Sequence, residues 1–303
     1  MKILVGDLTF VILNITCYII SFKRQTLRRT LKMSYLKLLR RCAEAIREKV
    51  LPLIGTVEAA KVLGRGAGGD LTKEIDLRAE ETLIKKITDA ELSCTILSEE
   101  RGIIKIGSSP ENLYLVCDPL DGTTNAVHGI PFIATSIALA RRPLLSQIEA
   151  AIVMDVVHNI VYAAERGKGA YKNDERIFPS RETDLEDSVI GVDINTYKAS
   201  NHQLHQKITR LLTVNKHPRY FGANALQLCY VADGTIDAFV DVRGKMRVLD
   251  MAAAYLIVKE AGALITAPDG KNLEAEFTPQ QRISLVAAGN SELHEKILRL
   301  IRD

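Results

Sequence analysis

The segment Asp118-Pro-Leu-Asp121-Gly-Thr-Thr-Asn125 directly follows the apolar run Leu113-Tyr-Leu-Val-Cys117, so a buried strand has to end in two carboxylates, a proline and a glycine. Such an ending is costly, because carboxylates are seldom buried unless paired or bound to a metal. The two aspartates stand three residues apart across a proline-containing turn, a spacing that can direct both carboxylates at one point. Pro119 restricts the backbone after Asp118, and Gly122 lets the chain reverse into a helical start. The amides exposed there, with Thr123, form a cradle for a phosphate.

Two further acidic clusters stand at predicted element boundaries. Ser98-Glu99-Glu100 closes a short strand over Thr95–Ser98, and Asp250 opens a predicted helix over Leu249–Ala261. Glu99, Asp118, Asp121 and Asp250 would together make an all-oxygen pocket suited to a hard cation such as Mg2+. A phosphate at the cradle would then lie against the metal, the arrangement of metal-assisted phosphoryl hydrolysis. Taken singly, each cluster also has a structural reading. The first aspartates could form an Asx-turn capping a helix, Glu99 and Glu100 a solvated pair, and Asp250 an N-cap. Their joint occurrence, each at a boundary, favours a shared site.

The remaining pattern frames that site. A helix is predicted over 34–53 from apolar residues at helical spacing, and a second amphipathic helix from Thr72 through Ile87, after the glycine-rich stretch Gly64-Arg-Gly-Ala-Gly-Gly69. Strands over 132–140, 150–157 and 162–165, with a Gly167-Lys-Gly169 turn before Ala170-Tyr171-Lys172, continue as an antiparallel meander. After about residue 184 strands alternate with helices: strands at 188–194, 236–240 and 283–288, helices at 202–214, 222–232, 249–261 and 291–302. This predicts a layered α/β (α+β) architecture, with an N-terminal α+β subdomain over 33–184 and a C-terminal α/β subdomain over 185–303. Residues 1–32 are apolar from Ile3 to Phe22, broken by Asp7, Thr9, Asn14 and Thr16, and then basic through Lys23, Arg24, Arg28, Arg29 and Lys32. An upstream extension is preferred to a membrane anchor there, because Asp and Asn are expensive in lipid.

Net charge of +3 is the small difference between 40 basic and 37 acidic side chains, which speaks against a nucleic-acid binder. Five cysteines with no CxxC pair read as free thiols of a reducing, cytoplasmic protein. No two of the six histidines have metal-ligand context.

Glu99-Glu100, Asp118-Pro-Leu-Asp-Gly-Thr-Thr-Asn125 and the later Asp250 helix resemble the two signature regions of the inositol monophosphatase superfamily, including its archaeal-type inositol monophosphatase/fructose-1,6-bisphosphatase members. The resemblance extends from about Tyr35 to the C-terminus, with Leu249 replacing the aromatic residue usual before the second-signature aspartate. It implies a layered α-β-α-β-α sandwich, a Mg2+-dependent phosphoric monoester hydrolase with two or three ions per site, and a homodimer. It also implies roles. Glu99, Asp118 and the Leu120 carbonyl would hold one ion; Asp118, Asp121 and Asp250 would hold another; Asp70 on the glycine-rich loop would help with a weaker third. Glu99 and Thr123 would orient and help deprotonate the attacking water. Asp76 resembles the acidic partner of the family's threonine, with Thr72 one place off the usual Thr-x-x-Asp spacing. Asp121, Gly122 and Thr123 would contact the substrate phosphate.

Arg219-Tyr-Phe-Gly222-Ala-Asn224 corresponds to the segment lining the family's substrate pocket, with Asn224 where a small residue is usual. Arg243 stands seven residues before Asp250, where animal-type members carry a glutamate; an arginine could grip a second phosphate bidentately or lie on the surface of a basic turn with Lys245 and Arg247. The expected substrate is inositol 1-phosphate, fructose 1,6-bisphosphate or both. The alternatives are a nucleotide-directed phosphatase acting on 3′-phosphoadenosine 5′-phosphate or NADP, which the low aromatic content disfavours, and a non-catalytic binding module, which the intact carboxylates disfavour.

Overall fold

The computed structural model describes residues 35–67, 69, 71–108, 112–197 and 202–302. The expectations for residues 1–32 and for Asp70 lie outside the described residues. Among those described, no helix is long and apolar enough to cross a membrane.

The chain opens with helix α1 over 35–50 and an antiparallel ribbon of β1 (Val62–Arg65) and β2 (Leu71–Lys73), which leads into α2 (Glu74–Asp89). Thr72, expected on the helix, is on β2. An eight-stranded sheet follows, built from β3 (Cys94–Ser98), β4 (Gly102–Ile106), β5 (Tyr114–Asp121), β6 (Ala134–Ala140), β7 (Ile148–Asp155), β8 (Ile160–Glu165), β9 (Ala170–Lys172) and β10 (Glu175–Arg176). Short helix α3 (Thr123–His128) stands between β5 and β6. The sheet order is β10-β9-β8-β7-β6-β5-β3-β4, antiparallel throughout except for the parallel β3–β5 pair.

A second, five-stranded sheet contains β11 (Val189–Val192), β12 (His217–Arg219), β13 (Ala238–Arg247), β14 (Leu264–Thr266) and β15 (Arg282–Ala288), in the order β12-β11-β13-β15-β14. Its helices are α4 (His202–Val214), α5 (Asn224–Ala232), α6 (Ala252–Ala261) and α7 (Ser291–Arg302). The elements stack as expected: α1 and α2, the large sheet, α5 and α6, the small sheet, then α4 and α7.

The large sheet is covered on both sides, so β5 and β6 are buried along nearly their whole length rather than alternating between buried and exposed residues. The two faces differ in size instead. Ile137, Leu139, Ile152 and Met154 face the α1/α2 layer, whereas Ala134, Ala138, Ala140 and Ala151 face α5 and α6. Small side chains there meet Ala252, Ala253 and Ala254 of α6, which lets the helix approach the sheet closely. Cys42, Cys94, Cys117 and Cys229 are free and buried, and burial pushes Cys42 up to about 12 and Cys94 up to about 11, so these thiols pack rather than react.

Candidate active site

Asp118 and Asp121 both lie on β5, not on a turn beyond it. Strict alternation would send residues three apart to opposite faces of the sheet. The ladder prevents this: Asp118 pairs with Ser136 and Asp121 with Ala134, so three steps on β5 match two on β6. This is a bulge, and it turns the strand so that both carboxylates serve one side. Thr135 secures it by donating from its hydroxyl to the Pro119 carbonyl at 2.9 Å, inside the core. Gly122 then takes φ +95°, and a side chain there would press against the Phe132 carbonyl and the Ala223 methyl.

Glu99 stands in the tight turn between β3 and β4, and Asp250 in a single 3-10 turn, Val248–Asp250, that links β13 to α6. Asp250 therefore precedes the helix without capping it; Met251 holds the N-cap position. The layers bring these distant residues together. Glu99, Asp118 and Asp250 each offer a carboxylate oxygen within 4.8 Å of the others, and Asp118 and Asp250 are buried. Asp121 is buried beside them, and its Oδ2 accepts the Ala225 amide at 2.7 Å at the start of α5.

The electrostatics follow from burial and crowding. Burial pushes Glu99 up to about 8, opposed by Arg247 and reinforced by repulsion from Asp250 and Glu100. Burial first, and then repulsion from Glu99, Asp121 and Asp250, raises Asp118 well above the usual carboxylate range. Burial and Asp250 raise Asp121 to about 8, against the pull of the Ala225 and Asn224 amides. Mutually repelling buried carboxylates with a purely oxygen donor set fit a hard divalent cation, which would relieve the repulsion and replace lost hydration.

Thr123 opens α3, and its hydroxyl donates to Asp76 Oδ1 at 2.8 Å, with the Leu120 carbonyl 3.3 Å away. Asp76, on the first turn of α2, also accepts the Lys73 amide at 3.0 Å, and burial lifts it to about 6. Thr72 instead donates to Glu100. The tip of the β1–β2 ribbon lies on the same turn: the Ala67 amide donates to the Glu100 carbonyl at 2.8 Å, and a Cβ at Gly66 would fall 2.5 Å from Glu100 Oε2.

The expected substrate residues are placed less uniformly. Asn224 begins α5, and its buried Oδ1 is without a hydrogen-bond partner among the described residues. Arg219 is exposed on β12, with Nη1 on the neighbouring Pro218 carbonyl. Arg243 stands where the ladder between β13 and β15 breaks, between Asp241 and Met246. It sits within β13, its side chain only 6% exposed, with Nη2 shared between Asp193 at 2.5 Å and Asp241 at 2.6 Å and Nε on Asp241 at 2.9 Å. The fork expected to meet a second phosphate is filled by the protein's own carboxylates.

Residues 31–303 match the Inositol monophosphatase family. The chain belongs to the inositol monophosphatase family. It is 36% identical over 269 residues to a fructose-1,6-bisphosphatase/inositol-1-monophosphatase of Methanothermobacter thermautotrophicus, covering 86% of this chain and 94% of that protein. It is 32% identical over 288 residues to a bifunctional NADP phosphatase/NAD kinase of Methanococcus maripaludis, covering 88% of this chain and 49% of that one. The fold superposes on the Thermotoga maritima IMPase with a TM-score of 0.72 at 28% identity, over 90% of this chain and 97% of that structure. Inositol monophosphatase family members are metal-dependent, in general on Mg2+, and this chain has an acidic cluster that could hold such an ion.

Two residues given no role from the sequence are tied into the candidate site. Asn125 closes the first signature and is buried, donating its side-chain amide to the Phe132 and Phe221 carbonyls, both at 2.8 Å. It thereby ties that signature to the Arg219–Asn224 segment. Arg247 reaches into the acidic cluster itself, pairing with Glu99 and Asp250. Its position three residues before Asp250 is the sequence signal that could have found it.

Proposed function

We propose that this chain is a Mg2+-dependent phosphatase hydrolysing a small sugar or polyol phosphate, fructose 1,6-bisphosphate, inositol 1-phosphate or both. The observation that carries the reading is the convergence of Glu99, Asp118 and Asp250 from separate parts of the chain onto one buried point. Glu99, Asp118 and the Leu120 carbonyl would hold one ion, and Asp118, Asp121 and Asp250 a second, with Asp70 assigned to a weaker third. Bound there, Mg2+ would supply Lewis-acid activation of a water and neutralise the charge of the leaving oxygen.

The protein's own groups do the rest. Thr123 donates its hydroxyl hydrogen bond to Asp76, which leaves the hydroxyl lone pairs to accept from a water and point its oxygen at phosphorus. Glu99, converging with Asp118 and Asp250, would provide a second carboxylate to orient that water. The Gly122 and Thr123 amides would cradle the phosphate beside Asp121. Asn224 Oδ1, buried and unpartnered among the described residues, suits a hydroxyl of the sugar or polyol. Arg219, exposed on β12, would be open to a second anionic group, while Arg243 is paired with Asp193 and Asp241.

NADP is the competing substrate, favoured by the Methanococcus relative. The aromatic pair Phe132–Phe221, with centroids 4.7 Å apart, could resemble a base platform, but Phe132 is buried in packing. Phosphate release from fructose 1,6-bisphosphate, inositol 1-phosphate, 3′-phosphoadenosine 5′-phosphate and NADP at one Mg2+ concentration decides between them. The sugar and polyol esters are expected to lead in kcat/KM by about tenfold or more, a difference of ~1.4 kcal/mol in transition-state binding. A lead for NADP contradicts the substrate assignment, and turnover of none contradicts the enzyme.

A further inference from the structure

The candidate metal site contains a cation of its own. Arg247 ends β13, and its guanidinium spans two of the three converging carboxylates. Nη1 donates to Glu99, while Nε donates to both Asp250 oxygens at 3.1 and 3.3 Å. The side chain is only 17% exposed. A guanidinium is charged at any working pH, and this one pairs with both Glu99 and Asp250.

Geometry and charge set a conflict. A guanidinium is planar and wide, and it approaches carboxylate oxygens through hydrogen atoms. Mg2+ needs the same oxygens at about 2.1 Å, in near-octahedral order. Nε takes a lone pair of each Asp250 oxygen, so Arg247 in this position crowds an ion held by Asp250 and places a like charge against it. A guanidinium left at hydrogen-bond distance would also repel a dication.

We propose that Arg247 is a tethered counter-ion of the metal site, which holds Glu99 and Asp250 together in the metal-free enzyme and withdraws from them when divalent cations bind. It thus competes with the metal and sets its affinity. This rests on the reading of the carboxylate cluster as the metal site. Without Arg247 the metal-free cluster faces its own repulsion unscreened. The substitution should therefore weaken the metal-free fold and strengthen metal binding together. An arginine serving only to orient the carboxylates would have the opposite effect on affinity.

The test is Mn2+ binding, read from the EPR signal of the free ion, in wild type, Arg247→Met, Arg247→Lys and Asp118→Asn, with melting temperatures in EDTA and in Mg2+. Arg247→Met should bind Mn2+ tighter by about tenfold or more, the weight of one charge-assisted contact. It should also melt lower in EDTA and gain more from Mg2+ than wild type, with Arg247→Lys between the two. Unchanged or weaker binding by Arg247→Met, in a wild type that binds Mn2+ and an Asp118→Asn that does not, overturns the counter-ion while leaving the metal site standing. Wild type that binds no Mn2+ overturns both. Should Arg247→Met not fold, the Arg247 Nε–H resonance of wild type decides, assigned by its loss in Arg247→Lys. Faster solvent exchange on adding Mg2+ supports withdrawal, and an unmoved, protected resonance contradicts it.

Discussion

At the scale of single residues, the site depends on hydroxyls and carboxylates whose partners are internal. Thr123 is held by Asp76, so Thr123→Val should cut kcat by about 100-fold or more, in the range of a lost proton-transfer or orienting group, while Thr123→Ser retains most of it. Steady-state kinetics with an unchanged melting temperature would check this. Glu80 provides a separate test of the electrostatics. It is fully buried on α2, accepts from the Ser98 hydroxyl and the Arg101 amide, and burial, only partly offset by that amide and the Arg101 charge, pushes it up to about 7. Its folded pKa exceeds the unfolded value, so the folded state holds the extra proton between pH 4.5 and about 7. Stability from this group is present below that window and is lost as pH rises through it. Glu80→Gln, which mimics the protonated form, should remove a loss on the order of 2–3 kcal/mol across the window. Denaturant unfolding of both proteins from pH 4.5 to 7.5 measures it; parallel curves would refute the assignment.

At the scale of elements, the bulge on β5 decides where the aspartates point. Thr135→Val leaves the Pro119 carbonyl without its buried donor and should cost about 1–3 kcal/mol. Activity should fall with it, since Asp118 and Asp121 flank that carbonyl; an equilibrium melt and an assay on the same sample check both. The acidic residues are legible in the sequence because a carboxylate at the end of an apolar strand has few structural uses. The bulge is not, because strand register is set by the partner strand β6, which pairing alone reveals. Nor is the length of β13. The basic residues Arg243, Lys245 and Arg247 suggest a turn, and the ladder to β15 does break between Asp241 and Met246, with Gly244 at φ +64°, but pairing resumes as far as Arg247; Asp193 and Asp241 neutralise Arg243, and the acidic cluster neutralises Arg247. Asp193 and Glu99 come from other elements, beyond the reach of local pattern, whereas Asp241 and Asp250 lie beside the arginines in sequence. Short strands such as β12 and β14 escape for the same reason, being held by their neighbours rather than by their own composition.

At the scale of the whole molecule, the candidate site draws on both sheets. Asp118 comes from β5 and Glu99 from the β3–β4 turn of the large sheet, and Asp250 from the turn that follows β13 of the small one. An ion held by all three would join the two sheets, so Mg2+ should stabilise the fold by linkage. At 100 times the dissociation constant the gain is about 2.7 kcal/mol, seen as a rise of several degrees in melting temperature. Asp118→Asn should lose that rise. The most direct measurement is Mg2+-dependent phosphate release from fructose 1,6-bisphosphate and inositol 1-phosphate by wild type and a folded Asp118→Asn. Release that EDTA abolishes, and that falls by about a thousandfold or more in the variant, is the predicted result, the loss of ~4 kcal/mol expected when a metal-bridging carboxylate is removed. A variant that keeps its activity, or a wild type indifferent to EDTA, would contradict it.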